Sequence, residues 1–449
     1  MLQFKVLAVA VVLAWCSPVF ADSTNFSSFT AIPNSVAAGS LPENAPFRLS
    51  SPAFTQKVIA SVKNQVALGE PNPGQWDQIT SNETGADAGR YLFVPFEQFD
   101  TNNPQGGVQR TDLSTSLTKT IVLPGTQGFV AGDASRWTPW GSYLTAEESW
   151  DAKGSATGYK GRLFEVTNPL ADANKINFVQ RNILPRTSHE GLVFDKNNSL
   201  YFIDEFDSGS IYKYISANPN AISGDAFFDK GQAFAMKVAD GFNSNAVGAV
   251  TWEAITAAAG TPLASTITSV LNVGNGQFAV DGRMAADLVG ATNYNRPEEI
   301  EIKTMNGQEV IFIVTTGSHE VYSLNLTSNE MRIFVSRGTI NSATGLPVGT
   351  ELTSPDNVEI DADGNVYIVE DQPGGEADIW FATDANNDGV AESIGRWATM
   401  STLGAEPTGL YFDKFNPNVA YVNVMHPDSG NDTMVQITAS RFQKQKPTP

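Results

Sequence analysis

The stretch "SPDNVEIDADGNVYIVEDQ", residues 354–372, decides the fold. It opens with an acid, Asp356, beside Ser and Pro, runs through alternating Val and Ile, turns at "DADG", and returns through "VYIV" to a second acidic pair. Alternation of apolar and polar side chains is the signature of a strand, and Asp-Gly supplies the backbone angles of a tight hairpin. The same layout stands upstream in "SHEGLVFDKNNSLYFIDEF", residues 188–206, with an acid before the hairpin and two after it. "RPEEIEIKTMNGQEVIFIVTT" and "EPTGLYFDKFNPNVAYVNV" repeat the acid, the strand, the turn and the returning strand, without the closing acidic pair.

The leading acids of these four hairpins are Glu190, Glu298, Asp356 and Glu406, at intervals of 108, 58 and 50 residues. The first interval is about twice the others. "TPWGSYLTAEESW", counted at Glu147, reads as a further member 43 residues before Glu190. Strand repeats of this length are the mark of a β-propeller. The expected fold is therefore all-β, a propeller over residues 86–440, with an irregular entry segment at 22–85. Two helical departures are expected: one within "SPAFTQKVIASVKNQVALG" (51–69), and a small helical or irregular insertion at "VTWEAITAAAGTPLASTITSVLNVG" (250–274).

In a propeller the innermost strand of each blade runs along the axis, so an acid at one strand end in every blade brings several carboxylates together. Like charges at that distance repel unless cations or protons intervene. A metal cluster on the axis is the expected remedy.

Composition bounds the chemistry. The formal net charge of −20 excludes a nucleic-acid partner, because phosphate backbones are bound through basic surfaces. Residues 1–21 read as a secretory signal peptide cut after Ala21, which directs the product to the periplasm or the medium and removes Cys16. The mature chain then has no disulfide and no thiolate ligand. Three histidines, His189, His319 and His426, are too scattered for a zinc set. "DANNDG" from Asp384 begins like a calcium loop, but its twelfth position is Gly395, so an ordinary Asn/Asp-rich turn accounts for it slightly better than a hairpin loop with a peripheral calcium. Neither a Gly-x-Ser-x-Gly elbow nor a Walker loop is present, and no later segment reads as a membrane span.

At "TPWGSYLTAEESW", "SHEGLVFD", "NRPEEIEI", "SPDNVEIDADGNVYIVED" and "AEPTGLYFD…AYVNVMHP" the chain resembles the PhoX family of secreted bacterial alkaline phosphatases. The resemblance implies a six-bladed propeller whose axial funnel holds calcium and iron and hydrolyses phosphate monoesters, with a small phosphorylated substrate and a monomeric state. Carried onto this sequence, it makes Arg296, Glu190 and Glu298 the catalytic residues. It makes Glu147, Glu148, Glu190, Glu298, Asp356, Asn357, Glu370 and Asp371 the metal ligands. Arg296 would touch substrate phosphate; from the residues alone, an ion pair with Glu298 is an equal reading. The family's cysteine ligand is here Ala146, and no twin-arginine signal is present. Both absences point to calcium alone, to iron held by oxygen, or to a propeller without catalysis. A calcium-dependent lactonase or phosphotriesterase, which would favour an apolar funnel, and a non-catalytic calcium-binding propeller are the rival expectations.

Overall fold

The computed structural model describes residues 23–100, 102–150, 160–260, 263, 270–272, 278–372, 374 and 376–440. The expected signal peptide lies outside them.

Among the described residues the hydrogen-bonded sheets divide into six antiparallel four-stranded meanders, and the protein is a β-propeller. Blade one begins at Thr80–Ser81 and Tyr91–Pro95, blade two at Gly132–Trp137 and Tyr143–Glu147, and blade three at Leu192–Phe194 and Leu200–Ile203. Blade four begins at Pro297–Met305 and Gln308–Thr315, blade five at Pro355–Ile360 and Val366–Glu370, and blade six at Glu406–Phe412 and Val419–Met425. The first strands of blades one to six neighbour one another in order, and Thr408 in that of blade six donates to Asp77 just ahead of blade one, which places these six around the axis.

The second strands of blades two, three, five and six, such as "VYIVE" (366–370), are buried throughout, because each blade is covered on both faces by its neighbours. Phe312, Val358, Trp380 and Ile394 fill the space between blades four and five, and Tyr367, Trp397, Phe412 and Val435 that between five and six. Each such side chain contributes about 1.5–3 kcal/mol when fully buried. Near the axis the blades come closest, and glycine is required there. A Cβ on Gly191 would stand 2.4 Å from the backbone nitrogen of Ile300, and one on Gly409, at φ +60°, 2.7 Å from the Asp77 carbonyl oxygen.

The entry segment belongs to the propeller, so the boundary expected at residue 86 moves toward the N-terminus. Phe54–Ser61 pairs with Thr433–Ala439 as the fourth strand of blade six, which closes the ring with the N-terminal part of the chain. Phe47–Leu49 adds to blade five. The helix expected within 51–69 shrinks to Val62–Ala67, capped by Ser61, because the pairing with blade six claims the preceding residues.

The 108-residue interval is one blade and an insertion. Gly248–Ala254 extends blade three as a strand and pairs with blade four, so the segment expected as a helical or irregular insertion from residue 250 opens as a strand. Val, Thr and Trp in this run favour an extended backbone. The insertion's helix is instead Gly282–Val289, capped by Asp281 and ended by Gly290 at φ +73°. "DANNDG" is a hairpin turn in which Asp384 accepts from the Asp388 and Gly389 amides. No helix among the described residues is long and apolar enough to cross a membrane.

Candidate active site at the propeller axis

Each inner strand meets the axis with an acid at or just before its start: Asp77, Asp133, Glu190, Glu298, Asp356 and Glu406 in blade order. Each second strand returns to the same end, where four blades carry another acid: Glu97, Glu148, Glu205 and Asp371. Thr316 follows the second strand of blade four and donates to Glu298; Met425 ends that of blade six. A chamber of about 60 Å³ results, lined by these ten carboxyl side chains, Arg296 and Met425.

Two groups within it are tight. One oxygen from each of Asp77, Glu97 and Asp133 lies within 4.8 Å of the others, and the same holds for Glu190, Glu298 and Asp356. Two unit charges so spaced repel by about 3–4 kcal/mol at an effective dielectric of 20. Burial, reinforced by neighbouring carboxylates, holds Glu97, Asp133, Glu148, Glu190, Glu298, Asp356 and Glu406 well above the usual carboxylate range, and raises Asp77 to about 6. Glu205 is the exception. Burial raises it, but hydrogen bonds with Glu148 and Arg296 outweigh that and lower it. The Asp133 Oδ1, Glu148 Oε2 and Glu190 Oε2 atoms are buried without a hydrogen-bond partner among the described residues. Orphaned carboxyl oxygens in an acid-rich chamber fit hard cations such as calcium.

Arg296 stands at the chamber with 42% of its side chain exposed. Its Nε donates to Glu205 Oε1 at 2.9 Å, its Nη2 donates to the same oxygen, and Nε lies 3.4 Å from Glu298 Oε1. The backbone is left-handed there, φ +52°, and the amide donates to the Phe206 carbonyl oxygen at 3.1 Å. Burial lowers the guanidinium's pKa, but Glu298 and Glu205 outweigh it and keep the charge fixed.

The model of the alkaline phosphatase PhoX family matches residues 124–428, more than half of the chain. The chain belongs to the PhoX family. It is a family of metal-dependent phosphoric ester hydrolases, and the acidic chamber is consistent with that dependence. The matched span begins after blade one, so Asp77 and Glu97 precede it. Comparison with curated protein sequences yields no match. Among solved structures, virginiamycin B lyase from Staphylococcus aureus is 11% identical, covering 86% of this chain and 99% of its own, at a TM-score of 0.43. Regucalcin from Agrobacterium tumefaciens, a calcium-binding protein, is 12% identical over 87% of this chain and 96% of its own, at 0.41. YCF48 from Cyanidioschyzon merolae is 11% identical over 85% and 98%, at 0.39.

Of the residues expected to form the PhoX site, Glu148, Glu190, Arg296, Glu298, Asp356 and Asp371 meet in the chamber. Glu147, Asn357 and Glu370 do not line it, and strand alternation is the reason. Successive side chains point to opposite faces, so only one member of each acidic pair reaches the axis. Glu147 turns inward to an ion pair with Arg162 and also accepts from the Val130 amide. Glu370 accepts from Trp380 Nε1 at 2.9 Å and from the Thr353 and Asp378 amides. Asp204, beside Glu205, pairs likewise with Arg283. Asn357 accepts from the Gly409 amide at 2.6 Å and donates to Asp356 Oδ2 at 3.0 Å, so it positions a chamber acid.

Sequence reasoning missed Asp77, Glu97, Asp133 and Glu205 as site residues, and recognised Glu406 only as a repeat landmark. Counting blade two at Glu147 caused most of this, since Glu147 ends a second strand. The repeat length contains the correct signal: steps of 57 and 56 residues back from Glu190 land on Asp133 and Asp77.

Of the histidines, His189 is fully buried with Nδ1 3.1 Å from Thr187 Oγ1, and burial pushes it down to about 3. His319 Nδ1 accepts from the Ser354 amide. His426 sits beside the chamber with Nε2 2.9 Å from Glu406 Oε1.

The inward and axial acids should separate experimentally. Glu147→Gln leaves the Arg162 charge buried without a full partner, and loss of one member of a buried pair costs about 3–5 kcal/mol. Its denaturation midpoint should fall while the metal content measured by mass spectrometry stays. Glu148→Gln should lower the metal content instead; equal metal loss in both variants contradicts the division.

Proposed function

We propose that this PhoX chain is exported and hydrolyses phosphate monoesters in the axial chamber, with calcium held by the chamber carboxylates and Arg296 receiving the substrate phosphate. The observation that carries this reading is the convergence of ten carboxyl groups, six of them buried and four part-buried, with one part-exposed guanidinium. Asp77, Glu97 and Asp133 would hold one cation, and Glu190, Glu298 and Asp356 another. Cations bound there supply positive charge for the phosphoryl oxygens and lower the pKa of water. All the carboxyl donors are oxygen, and Ala146, where the family carries cysteine, is packed in the apolar layer between blades two and three. Iron at this centre would therefore be held by oxygen.

The protein's own groups divide the work. Arg296 offers a planar fork that pairs with two phosphate oxygens, and Glu205 and Glu298 fix its orientation. Burial raises the proton affinity of the chamber carboxyls, and cations bind their deprotonated form, so metal uptake is coupled to proton release. Among the described residues the one apolar side chain in the lining is Met425, which favours an anionic substrate over a lactone.

The reading is tested by assaying a chromogenic phosphate monoester with purified protein. Turnover should vanish on chelation and return with calcium. No turnover with calcium, or with calcium and iron together, removes it.

A further inference from the structure

Beyond the chamber, the strand end that supplies Glu205 continues into an exposed aromatic residue with unusual support. Phe206 keeps 45% of its surface exposed. Its carbonyl oxygen accepts the Arg296 amide, so its backbone is tied to the residue assigned to phosphate. The Arg283 guanidinium carbon lies 4.1 Å from the Phe206 ring centroid and 4.5 Å from that of Trp150, and Arg186 lies 5.2 Å from the Trp150 ring. The four side chains form a ladder of alternating cations and rings: Arg186, Trp150, Arg283, Phe206. Its anchor is Asp204, which accepts from Arg283 Nε at 2.7 Å and from Nη2 at 2.8 Å. Three consecutive residues thus have three related tasks: Asp204 fixes Arg283, Glu205 fixes Arg296, and Phe206 rests on Arg283.

A lone exposed phenylalanine usually signifies nothing. This one is held on a salt-bridged guanidinium beside Arg296, so little side-chain freedom remains to be lost when a planar group stacks on it. We infer that Phe206 is a specificity-determining residue that stacks the aromatic leaving group of an aryl or nucleoside phosphate ester while the phosphate lies at Arg296. This rests on the phosphatase reading above and narrows its substrate class. No new chemistry is involved, because the stacked group departs with the ester oxygen and water supplies the incoming one.

Binding of two non-hydrolysable probes, phenylphosphonate and methylphosphonate, to the calcium-loaded protein tests the inference apart from turnover. Wild type should bind the phenyl compound about three- to tenfold more tightly, the range of an aromatic pair. Phe206→Ala should abolish that preference while methylphosphonate affinity stays within about twofold, and Phe206→Tyr should restore it. Equal binding of both probes by wild type, or an undiminished preference in Phe206→Ala, overturns the stacking role. If neither probe binds and Arg296→Ala changes nothing, the phosphate site itself is wrong, and the inference falls with it. Should Phe206→Ala be too unstable to assay, Phe206→Leu keeps an apolar side chain without a ring and is expected to lose the preference in the same way.

Discussion

Stripped of divalent cations by a chelator, the protein should melt at a lower temperature than the calcium-loaded form, and the gap should widen as pH rises from about 5 to 9. The sign follows from the direction of the carboxyl shifts. Asp77 is raised to about 6, and Asp133, Glu190, Glu298 and Asp356 lie well above the ordinary range because they are buried among one another. An acid whose pKa is higher folded than unfolded contributes stability that is fully present below the unfolded value, near 4, and is lost as pH rises through the folded value. Without cations the chamber therefore becomes less stable as it ionises. With calcium bound the same ionisation is compensated, and the loaded protein should change little over this interval.

Two sites saturated at a hundred times their dissociation constants contribute roughly 5 kcal/mol, which for a chain of this size corresponds to a shift of about 5 °C near pH 8. Glu359 and Glu370, both raised by burial to about 8, lie outside the chamber and titrate in either form. Only the difference between the chelated and loaded curves reports the axial acids. Parallel melting curves across the interval would show that the chamber carboxylates do not bind the cation that was removed.

How much of this site is legible without coordinates depends on which strand a residue occupies. The hairpins at Glu190, Glu298, Asp356 and Glu406 are visible because an acid, an alternating run and an Asp, Asn or Gly turn recur in fixed order. Blades one and two hide the same order. Asp133 is followed by "ASRW", whose Ser135 and Arg136 interrupt the apolar alternation, because Arg136 reaches across to Glu301 and the Leu192 carbonyl. Asp77 stands three residues ahead of a two-residue strand, too short to show a period. The paired acids Glu147–Glu148 and Glu370–Asp371 pose a different difficulty. Sequence shows that both are present, but the pleat decides which one faces the axis. A buried partner such as Arg162 or Trp380 that claims the other is distant in the chain. Closure of blade six by Phe54–Ser61 is a pairing across nearly the whole chain, with no local signal.

The second large effect concerns Arg296. Arg296→Ala should lower kcat/KM for a phosphate monoester by about 100- to 1000-fold, the loss that follows removal of one preorganised group from a developing anion. Folding should persist, because the side chain is part-exposed and Gly209, Asn245 and Phe206 hold the surrounding segment through backbone and side-chain hydrogen bonds. An ion-pair role and a phosphate role make different demands on the charge. If Arg296 only neutralised Glu205 and Glu298, Arg296→Lys would keep most of the activity, since a point charge serves that purpose. A phosphate clamp needs two parallel N–H donors, which lysine lacks, so Arg296→Lys should recover only part of the loss. Inhibition by inorganic phosphate separates the two cases without reference to rate. Both variants should bind phosphate more weakly, with alanine the weaker, while their calcium content equals that of wild type. If calcium is lost along with activity, Arg296 acts by positioning the acids around it. If phosphate binds as before and activity is retained, the guanidinium belongs to the structure of the chamber alone.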